Sequence, residues 1–214
     1  MTQISLEEKV YTGQFGEFTI TKADKAGVAV YRSGLMLAAL CFAAGVAWVL
    51  LGGERGVVLD VFFVGFYGGL GVSLWTIHIY LEVLHRLLQV FWLVGGLAAV
   101  VVRSRFDEPM VVAVYEHSWW LLGVGFVFAA LTGIYFKEAF CFNRLETKVL
   151  TPLVPVLLLG HLFKILPGEV EAVLLGIWGV LFLVFALRKT WQEMPDDIGD
   201  KSVFEYLHSG KKGG

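Results

Sequence analysis

Six long apolar runs, separated by short polar segments, dominate the pattern of hydrophobic and polar positions along the chain. The runs cover about residues 33–53, 57–81, 83–102, 119–136, 149–166 and 170–187. Each is close to the roughly 20 residues that an α-helix needs to cross the hydrocarbon core of a bilayer. The runs are continuously apolar, whereas the strands of a membrane β-barrel alternate apolar and polar positions. The pattern therefore predicts an all-α, polytopic membrane helix bundle with about six transmembrane helices.

Polar segments flank this transmembrane domain, which we place at residues 33–187. Residues 1–32 predict a soluble N-terminal segment, and residues 188–214 predict a soluble C-terminal tail. Alternating apolar and polar positions with glycines at residues 11–21 give a weak indication of a strand or hairpin. The polar start lacks a basic region followed by an apolar core and a cleavage site, so we expect no cleaved signal peptide.

The long apolar stretch at residues 57–102 has to fold back on itself. As a single helix it would measure about 69 Å, against a hydrocarbon core about 30 Å thick. Its charged interruption runs from Glu82 to Arg86, so we place the elbow between the second and third spans there. A hinge at the glycines of residues 68–71 is the alternative, but it would place irregular backbone deep in lipid.

Residues 136–148, between the fourth and fifth spans, combine charged and aromatic side chains unusually closely. Two acids, three bases, an amide and a thiol are interleaved with three phenylalanines. Charges are costly inside a bilayer, whereas an aqueous loop has no need of phenylalanines. We therefore expect a short segment that lies at the membrane surface, with its rings towards the lipid and its charges towards water.

The distribution of basic residues predicts the orientation of the bundle. Thirteen of the 17 lysines and arginines fall in the two tails, the second–third elbow and the fourth–fifth loop. With an even number of spans these segments share one face, which the positive-inside rule assigns to the cytoplasm or stroma. Both termini are therefore expected on that side.

Composition agrees with a membrane protein and excludes some functions. Hydrophobic residues make up 57% of the chain and charged residues 17%, with a formal net charge of −2. A chain without a basic surplus has no electrostatic footprint for nucleic acid. Cys41 lies in an apolar run and Cys141 in a loop, so free thiols are expected rather than a disulfide.

Two histidines near the elbow are candidate cofactor ligands. On one continuous helix, His78, Glu82, His85 and Gln89 would share a face. The spacing of Glu82 and His85 matches one Glu-x-x-His motif, but a carboxylate-bridged metal site needs two, so no metal site is predicted. His78 and His85, and more deeply His161, could instead ligate haem or chlorophyll. The simpler interpretation is polar side chains satisfied by water and neighbouring groups at the interface.

The elbow and the fourth–fifth loop are expected on the same membrane face, so their polar side chains could form one interaction network. We expect Arg144 to pair with Glu82, Glu138 or Glu146, because charge-assisted pairs are stronger at a partly dry interface. Such a network would lock loops together or dock a partner, and the structural role is favoured. Its candidate members are Glu82, Arg86, Glu138, Cys141, Asn143, Arg144 and Glu146.

Several segments of the chain resemble one protein family. They are residues 13–20 (GQFGEFTI), 76–80 (TIHIY), 122–126 (LGVGF), 131–148 (LTGIYFKEAFCFNRLETK) and 197–207 (DIGDKSVFEYL). Together they resemble a family of uncharacterised integral membrane proteins of cyanobacteria and plastids. The resemblance implies a cyanobacterial plasma membrane or thylakoid membrane and brings no established activity with it. A role near photosynthetic complexes follows by association alone.

Three functional hypotheses follow. The first is a non-enzymatic accessory or assembly factor associated with photosynthetic membrane complexes, favoured because no recognisable catalytic set is present. The second is a haem- or chlorophyll-binding membrane protein that uses His78 and His85. The third is a small-solute or ion transporter, for which the internal repeat typical of many transporters is missing.

Overall fold

The computed structural model describes residues 10–13, 16–77 and 82–193. Strands β1 (Val10–Gly13) and β2 (Gly16–Thr19) pair as a short antiparallel hairpin, in the segment whose pattern indicated one. A single turn of 3₁₀-helix covers Ser118–Trp120. The α-helices are α1 (Lys22–Leu50), α2 (Val57–Thr76), α3 (Glu82–Arg105), α4 (Met110–Glu116), α5 (Leu121–Phe142), α6 (Leu145–Leu162) and α7 (Gly168–Trp191).

Within the described ranges, six segments are long and apolar enough to cross a membrane. They correspond to α1, α2, α3, α5 with the preceding 3₁₀ turn, α6 and α7. The predicted fold class, an all-α membrane helix bundle with six spans, is confirmed. Short connections make successive long helices antiparallel, so the bundle has two distinct ends.

Helix α1 begins at Lys22, well before the apolar run at residue 33. Thr21 and Asp24 form a capping box: the Thr21 hydroxyl accepts the Asp24 backbone N–H at 3.2 Å, and the Asp24 carboxylate accepts the Thr21 backbone N–H at 2.9 Å. These reciprocal bonds satisfy amide groups that a helix start leaves unpaired. The polar residues before the run therefore extend the helix, where a soluble lead-in was expected.

The chain folds back between α2 and α3 about one turn before the predicted elbow. Helix α2 continues unbroken through the glycines of residues 68–71 and ends at Thr76, which excludes the alternative hinge. Helix α3 begins at Glu82, so Glu82 to Arg86 form its first turns rather than the elbow itself. Ile77 is the C-terminal cap of α2, and residues 78–81, which include the candidate ligand His78, are outside the described residues.

Residues 136–148 do not form a segment along the membrane surface, so that expectation is wrong. Helix α5 continues to Phe142, and α6 begins at Leu145. The turn between them is Asn143, in the left-handed conformation (φ 50°, ψ 38°), followed by Arg144 in extended conformation. Asparagine tolerates this region better than most residues and is a known alternative to glycine at helix ends. The helices persist because Glu138 and Glu146 are buried and paired, as described below.

Helices α1 and α2 pack at close range through glycines. A β-carbon added to Gly69 would lie 2.7 Å from the backbone nitrogen of Ala38 and 2.7 Å from the carbonyl oxygen of Gly34. Ser73, one turn further along α2, donates a hydrogen bond to the carbonyl of Tyr31 at 2.9 Å. Small residues allow backbones to approach in this way wherever helices associate in membranes.

The short helix α4 is anchored to the start of α2 by Asp60. The two oxygens of its carboxylate accept the backbone N–H groups of Met110 and Val111 at 2.8 and 2.9 Å. A carboxylate at this position also complements the positive end of the helix. Asp60 therefore holds α4 against the bundle at the end where α1 finishes and α2 begins.

Candidate functional site

A buried ion pair joins α5 and α7 at the end of the bundle where both helices finish. The Lys189 ammonium donates to one Glu138 oxygen at 2.6 Å, and the Lys137 ammonium donates to the other at 3.0 Å. The Glu138 side chain is fully buried, and that of Lys189 is 6% exposed. Lys189 also lies over the ring of Phe142, 4.2 Å from its centroid. A carboxylate this deep is tolerated because two cations neutralise it.

A second group of charges lies beside the first and is centred on Glu146 at the start of α6. Arg188 donates to one Glu146 oxygen at 3.0 Å, and Arg144 approaches the other at 3.4 Å. Arg144 also donates to the side-chain oxygen of Gln192 at 3.0 Å. The Glu146 side chain is only 4% exposed and that of Arg144 12%, whereas the Arg188 side chain is 58% exposed and reaches Glu146 from the surface. These bonds fasten the α5–α6 turn to the end of α7.

Helix α1 is connected to the same end through Arg32. Its guanidinium reaches the carbonyl oxygens of Thr190 and Glu193, each at 3.4 Å. Such carbonyls lack an intrahelical partner at the end of a helix, and a cation there also complements the helix dipole. We call this set the charge network: Arg32, Lys137, Glu138, Arg144, Glu146, Arg188, Lys189 and Gln192. It ties together α1, α5, α6 and α7.

The predicted interaction network is thus partly assembled. Of the three acids considered for Arg144, Glu146 is its partner. Glu82 and Arg86 pair with each other along α3 at 3.8 Å, with side chains 45% and 80% exposed. Asn143 makes the turn, and Cys141 is exposed next to it.

Sequence reasoning missed the contribution of α7. The hydropathy pattern predicts that Arg188 and Lys189 belong to the soluble tail, yet they lie in the last turn of a membrane helix and bind both buried acids. Their partners are 42 and 51 residues away in sequence. One signal was present: Arg188 and Lys189 directly follow an apolar run and are themselves followed by Trp191, which is typical of a helix that continues to the membrane interface.

His85 is engaged in holding two helices together. Its Nε2 atom lies 2.6 Å from the carbonyl oxygen of Leu74, near the end of α2. The side-chain amide of Gln89 donates to the same carbonyl at 3.4 Å. This arrangement leaves Nε2 unavailable as a cofactor ligand without breaking the contact between α2 and α3.

His161, at the opposite end of the bundle from the charge network, has both ring nitrogens occupied. Its Nδ1 lies 3.0 and 3.1 Å from the two carboxylate oxygens of Glu171, and its Nε2 lies 2.9 Å from the carbonyl oxygen of Tyr115. All these neighbouring atoms are oxygens of other residues, so each ring nitrogen already lies against a polar group of the protein. His161 therefore links α4, α6 and α7 rather than presenting a free nitrogen to haem or chlorophyll.

An apolar cavity of about 340 Å³ opens at this end, between α1, α2, α4, α5, α6 and α7. Its floor carries four aromatic side chains in mutual contact, with Phe42 4.5 Å and Phe128 5.3 Å from Trp178 between ring centroids, and Phe66 5.6 Å from Phe128. Cavities of this volume lie within the range of small-molecule sites. In the described part of the chain, no cluster of three or more His, Cys, Asp or Glu side chains could hold a metal ion.

Comparison with known proteins places this bundle in a family. Residues 72–206 match the family model described as "Uncharacterized integral membrane protein (DUF2301)". The matched region runs from the second half of α2 through the whole charge network except Arg32. No curated protein and no solved structure matches the chain. Because the family model covers well over half of its length, the chain belongs to the DUF2301 family of integral membrane proteins.

Proposed function

We propose that the protein is a non-enzymatic accessory or assembly factor of a membrane complex. Its setting would be a cyanobacterial plasma membrane or thylakoid membrane, and its partners photosynthetic membrane complexes. Both termini and the charge network would face the cytoplasm or stroma, in keeping with the positive-inside rule. The setting rests on the family resemblance, and the accessory role rests on the structure of the network end.

The pairing of the buried charges carries this proposal. Glu138, Glu146 and Lys189 are the buried charged residues of the described ranges, and each has an oppositely charged partner within 3.4 Å. They also gather at one end of the bundle. A transporter or proton pump needs ionisable groups along its path that exchange partners during turnover. A fully paired cluster at one end instead favours a rigid scaffold.

Large apolar side chains are exposed beside this rigid end. Phe140 is 83% exposed, Trp191 79% and Leu145 74%, and each lies within a few residues of a network member in sequence. Aromatic residues are enriched at protein interfaces, and they bind best when mounted on a backbone that does not reorganise. A preorganised surface with exposed rings suits a protein that docks against another membrane protein.

The proposal is tested by crosslinking from this surface in native membranes. Cys41→Ser leaves Cys141, which is exposed beside Phe140, as the single cysteine. A thiol-directed photocrosslinker on Cys141 should give a defined adduct with a subunit of a chlorophyll-containing complex, identified by mass spectrometry. The matched control is Trp119→Cys in a cysteine-free chain, because Trp119 is 65% exposed at the opposite end.

Two results would overturn the proposal. One is an adduct pattern that is the same from position 119 as from Cys141, or that contains only lipid. The other is a stoichiometric haem or chlorophyll absorption band in the purified chain, since an accessory factor separated from its complex is expected to be colourless.

A further inference from the structure

The apolar cavity has a polar rim built from one connected cluster of side chains. The guanidinium of Arg55 lies over the ring of Tyr115, 5.2 Å from its centroid. The imidazole of His161 stacks on the same ring, with 4.7 Å between centroids, and is bonded to Glu171. These four residues, which we call the rim cluster, all line the cavity. They come from the α1–α2 turn, α4, α6 and α7, so four parts of the chain converge at one opening.

The rim cluster contains a cation, Arg55, beside the paired His161 and Glu171. The Glu171 carboxylate is engaged by His161, with 3.0 Å between Nδ1 and the nearer oxygen. Among the described residues, Arg55 has no carboxylate within ion-pair distance. The planar fork of a guanidinium matches carboxylate and phosphate oxygens, and Arg55 is exposed at the cavity mouth, where a head group can reach it. The opening therefore suits an anionic head group.

Below the rim the cavity is apolar and extends between the helices towards the middle of α7. Glu171 at the rim and Trp178 at the floor are both on α7, seven residues apart, which corresponds to a depth of about 10 Å along the helix. Tyr115 is 47% exposed, so the opening is accessible from outside the bundle. A charged opening over an apolar, aromatic-floored space has the polarity of an amphiphile.

We propose that this cavity binds an anionic amphiphile: its apolar body fills the space between the rim and Trp178, and its carboxylate or phosphate head pairs with Arg55. His161 and Glu171 act as positioning residues that hold α4 and α7 at the opening. The volume of about 340 Å³ is near the lower end of ligand pockets, which favours one apolar chain over two. This binding role is independent of the docking role proposed for the network end.

Binding is tested on the full chain in nanodiscs of phosphatidylcholine, which has no net charge. The probe is a dansyl-labelled undecanoic acid, compared with its uncharged methyl ester. The wild-type protein should bind the acid saturably and roughly tenfold or more tightly than the ester, because the ester cannot form a charge-assisted pair. Arg55→Gln should remove this preference, whereas Arg55→Lys should keep part of it.

Two further variants control for folding and for location. Arg105→Gln removes an exposed arginine at the same end of the bundle and should leave binding unchanged. Ala172→Phe adds bulk to the cavity wall and should weaken the binding of both the acid probe and the ester probe. The acid–ester comparison within the wild-type protein remains decisive even if a variant fails to fold.

The source of the head group is distinguished by native mass spectrometry in nanodiscs that contain phosphatidylglycerol. Retention of this lipid by the wild-type protein and its loss in Arg55→Gln would support the proposal with a phospholipid as ligand. Preferential binding of the fatty-acid probe would support it with a free carboxylate as ligand. The proposal fails if neither binds saturably, or if Arg55→Gln and Arg105→Gln bind the acid equally well.

Discussion

The two residues of the most deeply buried ion pair in the charge network, Glu138 and Lys189, are expected to differ in how much their substitution destabilises the protein. Glu138 has two cations, Lys189 at 2.6 Å and Lys137 at 3.0 Å. Within the described residues, Glu138 is the sole carboxylate partner of Lys189. Glu138→Met therefore leaves a buried ammonium beside the rings of Phe142 and Tyr31 without a carboxylate partner, whereas Lys189→Met leaves the carboxylate with Lys137. We expect the first substitution to be clearly more harmful than the second.

The magnitude follows from the geometry. At 2.6 Å and an effective dielectric constant of about 20, the gross attraction between Glu138 and Lys189 is about 6 kcal/mol, most of which offsets desolvation. Removing one partner of a buried pair costs about 3–5 kcal/mol, because an uncompensated charge remains. We expect Glu138→Met to lower the free energy of unfolding by that amount and Lys189→Met by about 1–2 kcal/mol. The double variant should fall within about 1 kcal/mol of wild type, because apolar side chains of similar volume often replace such pairs.

The assay is reversible unfolding in mixed micelles with increasing dodecyl sulfate, followed by helical ellipticity. Arg86→Met is the matched control, since Arg86 and Glu82 form an exposed pair and its loss should change stability by less than about 0.5 kcal/mol. Equal losses for Glu138→Met and Lys189→Met would refute the role of Lys137 as second partner. Additive losses in the double variant would refute the buried pair itself.

Three further substitutions test other contacts by the same unfolding measurement. Gly69→Ala should lower the free energy of unfolding by about 1–3 kcal/mol, since its β-carbon would meet the backbone of α1. The control Gly68→Ala has open space and should be neutral, so equal effects of the two substitutions would contradict the close approach. Asp60→Ala should lower the free energy of unfolding by about 1–2 kcal/mol, because it releases the start of α4. The control Asp107→Ala should change it very little. A neutral Asp60→Ala would show that α4 does not depend on this cap. Asn143→Val should cost about 1–2 kcal/mol because of its positive φ, and Asn143→Gly should be tolerated; the reverse order would exclude a left-handed turn.

The fold was predictable from sequence because the apolar runs report directly on burial in lipid. Runs such as residues 57–81 need no partner to be recognised, and the length of a membrane span fixes how many helices they form. Even the fold-back near Glu82 was found to within about one turn, since a chain of that length has to reverse somewhere. These features depend on local composition, which one sequence displays in full.

The site was less predictable because its chemistry depends on distant pairs. The rule that charges avoid the bilayer predicts a position on the membrane surface for residues 136–148, but the rule applies to charges without partners. The shorter of the two ion pairs of Glu138 is made with Lys189, which is 51 residues away on α7, and no local spacing reveals it. By contrast Glu82 and Arg86, four residues apart on one helix, form the kind of pair that sequence does show.

The separation of Glu138 from Lys189 also has a consequence for the order of events during synthesis. At about 5–20 residues per second, the ribosome needs several seconds to produce the 51 residues between the acid and its principal partner. Throughout that interval α5 exists without α7, and an unpaired carboxylate would oppose its entry into lipid. Lys137, adjacent in the chain and 3.0 Å from the carboxylate in the finished bundle, is made at the same moment. It can serve as the counterion until α7 arrives, so the two lysines act in succession, one during insertion and the other in the mature fold.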